Sequence, residues 1–424
     1  MIKRVAILIV ALVLSIVATF GVVQAQDDIS ASTVTEVQFP SAMTFHLSAQ
    51  STVDITEIFL RYKIDGISTI DVTSVVIPAF EQTAEVETGW IWDMRKFSLP
   101  PGAEVQYSWR IRDASGDEIE TSWTTIEFND ERYSWNSLTE EQVTLFWYYG
   151  EQAFAQELLD AALDALDVLA QDTGAFLDYP AEIYIYSSSR ELQEATIYPQ
   201  EWMGGVAFAD YGIVAIGVDP GNLAWGKRAV AHELAHLVTA QMTSNPYNDI
   251  PTWLDEGLSL YAEGELRDDL AHSLDRAISE DQLISVQSIS GNFPVDVEQA
   301  RLSYAESYSL VEFLTDNYDK ERMLLLLSIF EQGSSYDDAL LEVYGFDTTG
   351  LDNAWRQSLG LEPRQTPSSP YATATPAPQG GLLDCQMYSQ STDFSAVAVF
   401  ALLGMLLLPG IWEAVRFRAG KGIK

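Results

Sequence analysis

Two of the four histidines in this chain lie in the segment His232-Glu233-Leu234-Ala235-His236. Residues four apart on a helix share one face, about 5–6 Å apart at Cβ. Two imidazoles so placed can converge on one metal ion, with Zn–N bonds of about 2.0–2.1 Å. Glu233 follows on the adjoining face, where it can reach a metal-bound water without ligating the metal. Histidine is scarce here, so chance does not readily produce this pattern. Val230, Leu234, Leu237 and Val238 supply an apolar stripe for the helix, and Asn222 stands where an N-cap would. A catalytic zinc takes three protein ligands and keeps one position open. The third ligand must therefore come from elsewhere, and Pro251-Thr252-Trp253-Leu254-Asp255-Glu256-Gly257-Leu258-Ser259 follows downstream. Proline suits the first turn of a helix. The interval from His236 to Glu256 lets the first helix end, a loop turn at Asn245-Pro246-Tyr247-Asn248, and a second helix pack antiparallel. Glu256 would then face the metal.

Together, the HELAH segment and the WLDEGLS segment resemble the gluzincin zinc peptidases, whose second motif is typically Trp-Leu-Asn-Glu-Gly. The resemblance is to the peptidase-MA-like group of bacterial envelope proteins, and it extends loosely over 140–360. It implies one zinc ion (Zn2+) held by His232, His236 and Glu256, with Glu233 as general base. Asp255 stands where the family has Asn. A peptide or protein substrate is implied with it. Glu263, two turns beyond Glu256, is placed to accept the second ring N–H of a ligand histidine; it reads equally as a solvated glutamate at a helix end. The resemblance also implies a tyrosine after the ligand helix that hydrogen-bonds the oxyanion of a tetrahedral intermediate, and it favours Tyr304 over Tyr308 for that place. The two tyrosines are four apart, so an aromatic core face explains both as well. Gly204, Gly205, Val206 and Ala207 fall where the family has an edge strand, to which an extended substrate could add through main-chain hydrogen bonds. A plain turn into a strand is the other reading. Two other functions stand beside the peptidase: an inactive binding or scaffold protein of the envelope on a peptidase fold, and a zinc hydrolase acting on a non-peptide bond.

The elements that must position these residues follow from periodicity. The chain has 424 residues, enough for two or three domains. Residues 31–132 alternate apolar and polar, as in Ile58, Leu60, Tyr62 and Ile64, and again in Val105, Tyr107, Trp109 and Ile111. Breaks at Asp65-Gly66, Pro100-Pro101-Gly102 and Ser115-Gly116-Asp117 divide them into about seven strands. That pattern resembles an immunoglobulin-like or fibronectin-III-like β-sandwich. A helical pattern runs over 142–169, followed by strands at 181–186, 206–209 and 213–218 and helices to about 360. This gives an α+β domain over 138–361. Residues 363–381 form a Pro/Thr/Ser-rich linker.

The ends carry addresses. Lys3 and Arg4, an apolar run and Ala25 make residues 1–25 a secretory signal. A second apolar run, 394–412, is long enough for a transmembrane helix. Arg416, Arg418, Lys421 and Lys424 follow it, so 413–424 is a basic cytoplasmic tail and the bulk of the chain is extracytoplasmic. The expected fold class is thus multidomain: an all-β sandwich, an α+β zinc peptidase domain and a C-terminal membrane helix. With 23 basic against 62 acidic residues, the net charge is −39. Such a surface repels phosphate backbones, which excludes nucleic acid as a partner. Cys385 is the single cysteine, so no intrachain disulfide forms.

Overall fold

The computed structural model describes residues 29–64, 66, 73–199 and 203–364. The expected signal 1–25, the linker beyond residue 364, the apolar run 394–412 and the tail 413–424 lie outside the described residues.

Among the described residues the first unit has eight strands: β1 (Ser30–Gln38), β2 (Ala42–Gln50), β3 (Ile55–Ile64), β4 (Ser74–Val76), β5 (Glu85–Asp93), β6 (Ala103–Asp113), β7 (Glu118–Glu120) and β8 (Thr124–Phe128). They form two antiparallel sheets. One has the order β1-β2-β5; the other has the order β4-β3-β6-β7, with β8 also paired to β6. Alternation turns Val105, Tyr107, Trp109 and Ile111 of β6 inward, where they meet Phe45 and Leu47 of β2. The indole N–H of Trp109 donates to Thr33 Oγ1 at 3.1 Å, tying one sheet to the other.

The second unit opens with β9 (Asn136–Glu140) and β10 (Val143–Trp147). β10 replaces the start of the helix expected over 142–169. Val143, Leu145 and Trp147 alternate and bury one face, and Gly150, at φ +92°, ends the stretch. Then come α1 (Gln152–Asp172), β11 (Ala181–Tyr186), α2 (Ser189–Glu194), β12 (Gly205–Phe208), β13 (Ile213–Gly217), α3 (Leu223–Thr243), α4 (Thr252–Ala262), α5 (Asp268–Ser279), α6 (Val297–Asn317), α7 (Lys320–Glu331), α8 (Tyr336–Tyr344) and α9 (Thr348–Ser358). The sheet order is β12-β13-β11-β10-β9, with β10, β11 and β13 parallel and an antiparallel strand at each edge. One face packs on α1 and α3. The other carries Tyr184 and Tyr186, against which Tyr133, Trp135 and Tyr148 pack, together with Phe39 of the first unit.

The expected fold class needs correction in its last part. Among the described residues no helix is long and apolar enough to cross a membrane. The longest helices are interrupted by charge; α6 alone carries Glu298, Arg301, Glu306, Glu312 and Asp316. What the structure shows is a β-sheet unit followed by a helical unit built on a five-stranded sheet.

Two glycines bring the helices of the second unit close. A Cβ on Gly226 would stand 2.4 Å from Val218, so α3 lies directly on the end of the sheet. A Cβ on Gly257 would stand 2.5 Å from the Ser307 carbonyl oxygen, so α4 lies against the backbone of α6. Gly257→Ala should therefore push α4 and α6 apart and destabilise the protein by about 1–3 kcal/mol, the usual cost of overpacking. Urea unfolding measures it; a change below about 0.5 kcal/mol would mean that the contact yields without cost.

Candidate metal centre

Helix α3 is almost wholly enclosed, between the sheet and α1 on one side and α4 and α7 on the other. Burial therefore covers more than the apolar stripe, and His232, Glu233 and His236 are 1 %, 5 % and 4 % exposed. Asn222 holds the N-cap position, but its side chain makes no capping bond. The loop after α3 is fastened by Asn245. Its amide donates to the carbonyls of Thr243, Asn248 and Phe330, and its Oδ1 accepts from the N–H groups of Tyr247 and Asn248. Pro251 is the residue just before α4 rather than its first turn. The N–H groups of Thr252 and Trp253 are held by the carbonyls of Ser290 and Ile289.

This return path brings Glu256 in front of the two histidines. One donor atom from each of His232, His236 and Glu256 lies within 4.8 Å of the others, and all three residues are buried. Glu256 Oε2 is 3.4 Å from His232 Nε2 and 3.8 Å from His236 Nε2. Neither oxygen of Glu256 nor His232 Nε2 has a hydrogen-bond partner. An ionised carboxylate taken out of water costs several kcal/mol unless it is paired. A divalent cation between the three groups fits that need, and two imidazole nitrogens with one carboxylate form a donor set that suits zinc.

Behind the ligand atoms each ring has a second contact. His232 Nδ1 lies 2.8 Å from Glu263 Oε1, and His236 Nδ1 lies 3.0 Å from Asp255 Oδ1 and 3.1 Å from Ser259 Oγ. The Ser259 hydroxyl donates to the Asp255 carbonyl at 3.0 Å. Carboxylates on the Nδ1 side fix that nitrogen as donor and leave Nε2 free to ligate. The sequence reading placed Glu263 but gave Asp255 and Ser259 no role. The signal was present: both flank Glu256 in one turn or less of α4. Burial alone would lower the His232 pKa, yet the carboxylates of Glu256 and Glu263 beside the ring outweigh it and lift the imidazole to about 10. The His236 imidazole rises too, because Asp255 outweighs its burial.

The other expected residues divide. Gly205 begins β12, an edge strand of the sheet, and a Cβ there would stand 2.6 Å from Glu233 Oε1. Only glycine lets the strand approach Glu233 so closely. Val206 and Ala207 continue β12, paired to Ala215 and Val214 of β13. Gly204 precedes the strand, under the Trp225 ring. Burial raises the Glu233 carboxyl above its usual range, despite the two imidazoles. Tyr304 is 2 % exposed, packs edge-on to Phe293 at 5.1 Å, and has no partner for its hydroxyl. Burial, with Glu256, Glu233 and Asp255 nearby, pushes its phenol well above the ordinary value. Tyr308 instead meets Tyr261 and Glu312. The structure thus brings Tyr304 to the cluster and leaves Tyr308 outside it.

Residues 161–360 match the family model described as the Peptidase MA superfamily. That stretch holds every residue of the cluster and supports a peptide hydrolase of the gluzincin type, and with it zinc. Among solved structures, an M1 zinc metallopeptidase from Deinococcus radiodurans is similar at 14% identity, over 82% of this chain and 95% of that one, with a TM-score of 0.33. Aminopeptidase A from Legionella pneumophila, in complex with aspartic acid, is similar at 10% identity, over 78% of this chain and 51% of that one, with a TM-score of 0.31. An aminopeptidase N family protein from Idiomarina loihiensis is similar at 10% identity, over 80% of this chain and 76% of that one, with a TM-score of 0.34. Scores this low carry no conclusion about shared activity. A comparison with curated proteins finds no match.

The raised imidazole makes a prediction for metal uptake. In the metal-free protein His232 holds its proton at neutral pH, since its folded pKa of about 10 lies above the unfolded value. That proton stabilises the metal-free fold fully below about pH 6.5, and the gain is lost as pH rises through about 10. Zinc must displace it. Apparent zinc affinity should then climb about tenfold per pH unit per released proton between pH 7 and 9. Calorimetry in buffers of different ionisation enthalpy should show proton release; uptake without release would contradict the site.

Proposed function

We propose that this chain is a zinc metallopeptidase that hydrolyses peptide bonds with Glu233 as general base. The observation that supports it most is the convergence of His232, His236 and Glu256 on one buried point, with Glu233 beside an edge strand. His232, His236 and Glu256 would hold one zinc ion, which when bound lowers the pKa of a coordinated water and polarises the scissile carbonyl.

The chain's own groups supply the rest. The β12 edge takes the substrate backbone as an added strand, running past Gly205 so that its carbonyl comes close to Glu233. Glu233 accepts the proton of the attacking water and returns it to the leaving amine. Its raised carboxyl suits both tasks, because a general base works best with a pKa near the working pH. Tyr304, still protonated at any working pH, donates its hydroxyl hydrogen to the oxyanion. Glu263 and Asp255 keep the two rings aligned. In this reading 138–361 is the peptidase domain and the sandwich over 31–132 is a module with no part in the chemistry. Export directed by residues 1–25 belongs to the same proposal and rests on sequence only.

Glu233→Gln should retain zinc and lose hydrolysis of a mixed peptide library by on the order of 10²–10⁴-fold. Tyr304→Phe should lower kcat by roughly 10²–10³-fold with KM little changed. A zinc-loaded wild type that cleaves nothing the Gln variant spares would refute the enzyme reading and favour a binding protein on the same fold.

A further inference from the structure

We infer that Arg228 is a positioning residue of the metal centre, acting through Glu263 on His232. The inference rests on the zinc reading above. Glu263 is the residue that closes α4, and its side chain is 5 % exposed. The end of a helix carries partial negative charge from its free carbonyls, so a carboxylate is disfavoured there. Burial adds to the cost. Glu256 and Asp255 lie on the same short helix, so the surroundings are already anionic. Glu263 Oε1 lies against His232 Nδ1 at 2.8 Å, and Oε2 is the oxygen left for a second partner.

Arg228 is the group placed to be that partner. It stands one turn before His232 on α3, and its Nε lies 3.9 Å from Glu263 Oε2. Glu263 thus bridges two residues of one helix face, with one oxygen toward each. Among the described residues no other Lys or Arg comes within ion-pair distance of Asp255, Glu256 or Glu263. Arg228 Nε is itself buried and makes no hydrogen bond. The Arg228 side chain is 37 % exposed as a whole, so its hold on Glu263 comes from the buried Nε edge and is an ion-pair contact rather than a hydrogen bond. Guanidinium stays charged under all working conditions, so the hold does not lapse with pH. The consequence is a ring whose donor nitrogen is fixed before metal arrives.

The test is a double-mutant cycle on zinc affinity, read by competition of the full chain with a chromophoric chelator. Arg228→Gln should weaken zinc binding by roughly 10–100-fold, the usual effect of losing an outer partner of a ligand. Glu263→Gln should weaken it by a similar factor. The double variant should be no weaker than Glu263→Gln alone, because Arg228 acts through that carboxylate. Arg228→Lys should stay near wild type. The inference is overturned if Arg228→Gln binds zinc as wild type does, if the two penalties multiply, or if Arg228→Gln lowers only the stability of the zinc-free protein. Failure of wild type to bind zinc would instead defeat the reading on which the inference rests.

Discussion

A buried carboxylate with no hydrogen bond, held in front of two imidazoles, is the constraint on which the rest of this structure turns. Glu256 is fully enclosed, and neither of its oxygens is satisfied within the protein. Such a group is costly to bury and is tolerated where a cation completes it. Much of the surrounding architecture serves to keep it there. Gly257 lets α4 lie on α6, Asn245 fastens the turn from α3, and the carbonyls of Ser290 and Ile289 hold the start of α4. Each of these contacts is polar or steric and joins segments distant in the chain. None would be needed to stabilise two helices that merely shared an apolar face.

The catalytic part of the proposal adds a second constraint, close approach. β12 meets α3 at a glycine because Glu233 occupies the space a side chain would need. The edge strand and the base are thereby fixed relative to each other, and an added strand would be fixed relative to both. On the far face of the same sheet, aromatic rings pack the second unit on the first, and a Cβ on Gly102 would collide with the Tyr184 hydroxyl. The sheet is held on both faces, which limits how far its edge can drift from α3.

Much of the site was legible in the sequence because its parts are local. Four-residue spacing puts His232 and His236 on one helix face, whatever the fold around them. The loop at Asn245–Asn248 carries turn-forming side chains, and the period-two run in β6 needs no tertiary information. What stayed hidden depended on contacts between distant segments. Tyr304 and Tyr308 share one helix face, and only the rotation of α6 against α4 decides which reaches the metal centre. Arg228 and Glu263 are far apart in the chain, so nothing in their spacing suggests a bridge. β10 was read as the beginning of a helix because its apolar residues run into those of α1, with only the short link Tyr148-Tyr149-Gly150-Glu151 between them. Asp255 was read only as standing where the family has Asn, whereas its carboxylate lies 3.0 Å from His236 Nδ1.

The most direct test of the account is the zinc content of the purified protein. After resupply and removal of loosely bound metal, the wild type should hold about one equivalent, and Glu256→Gln should hold almost none. Less than about half an equivalent in the wild type, or full occupancy in the Glu256→Gln variant, would contradict a centre built on these three side chains.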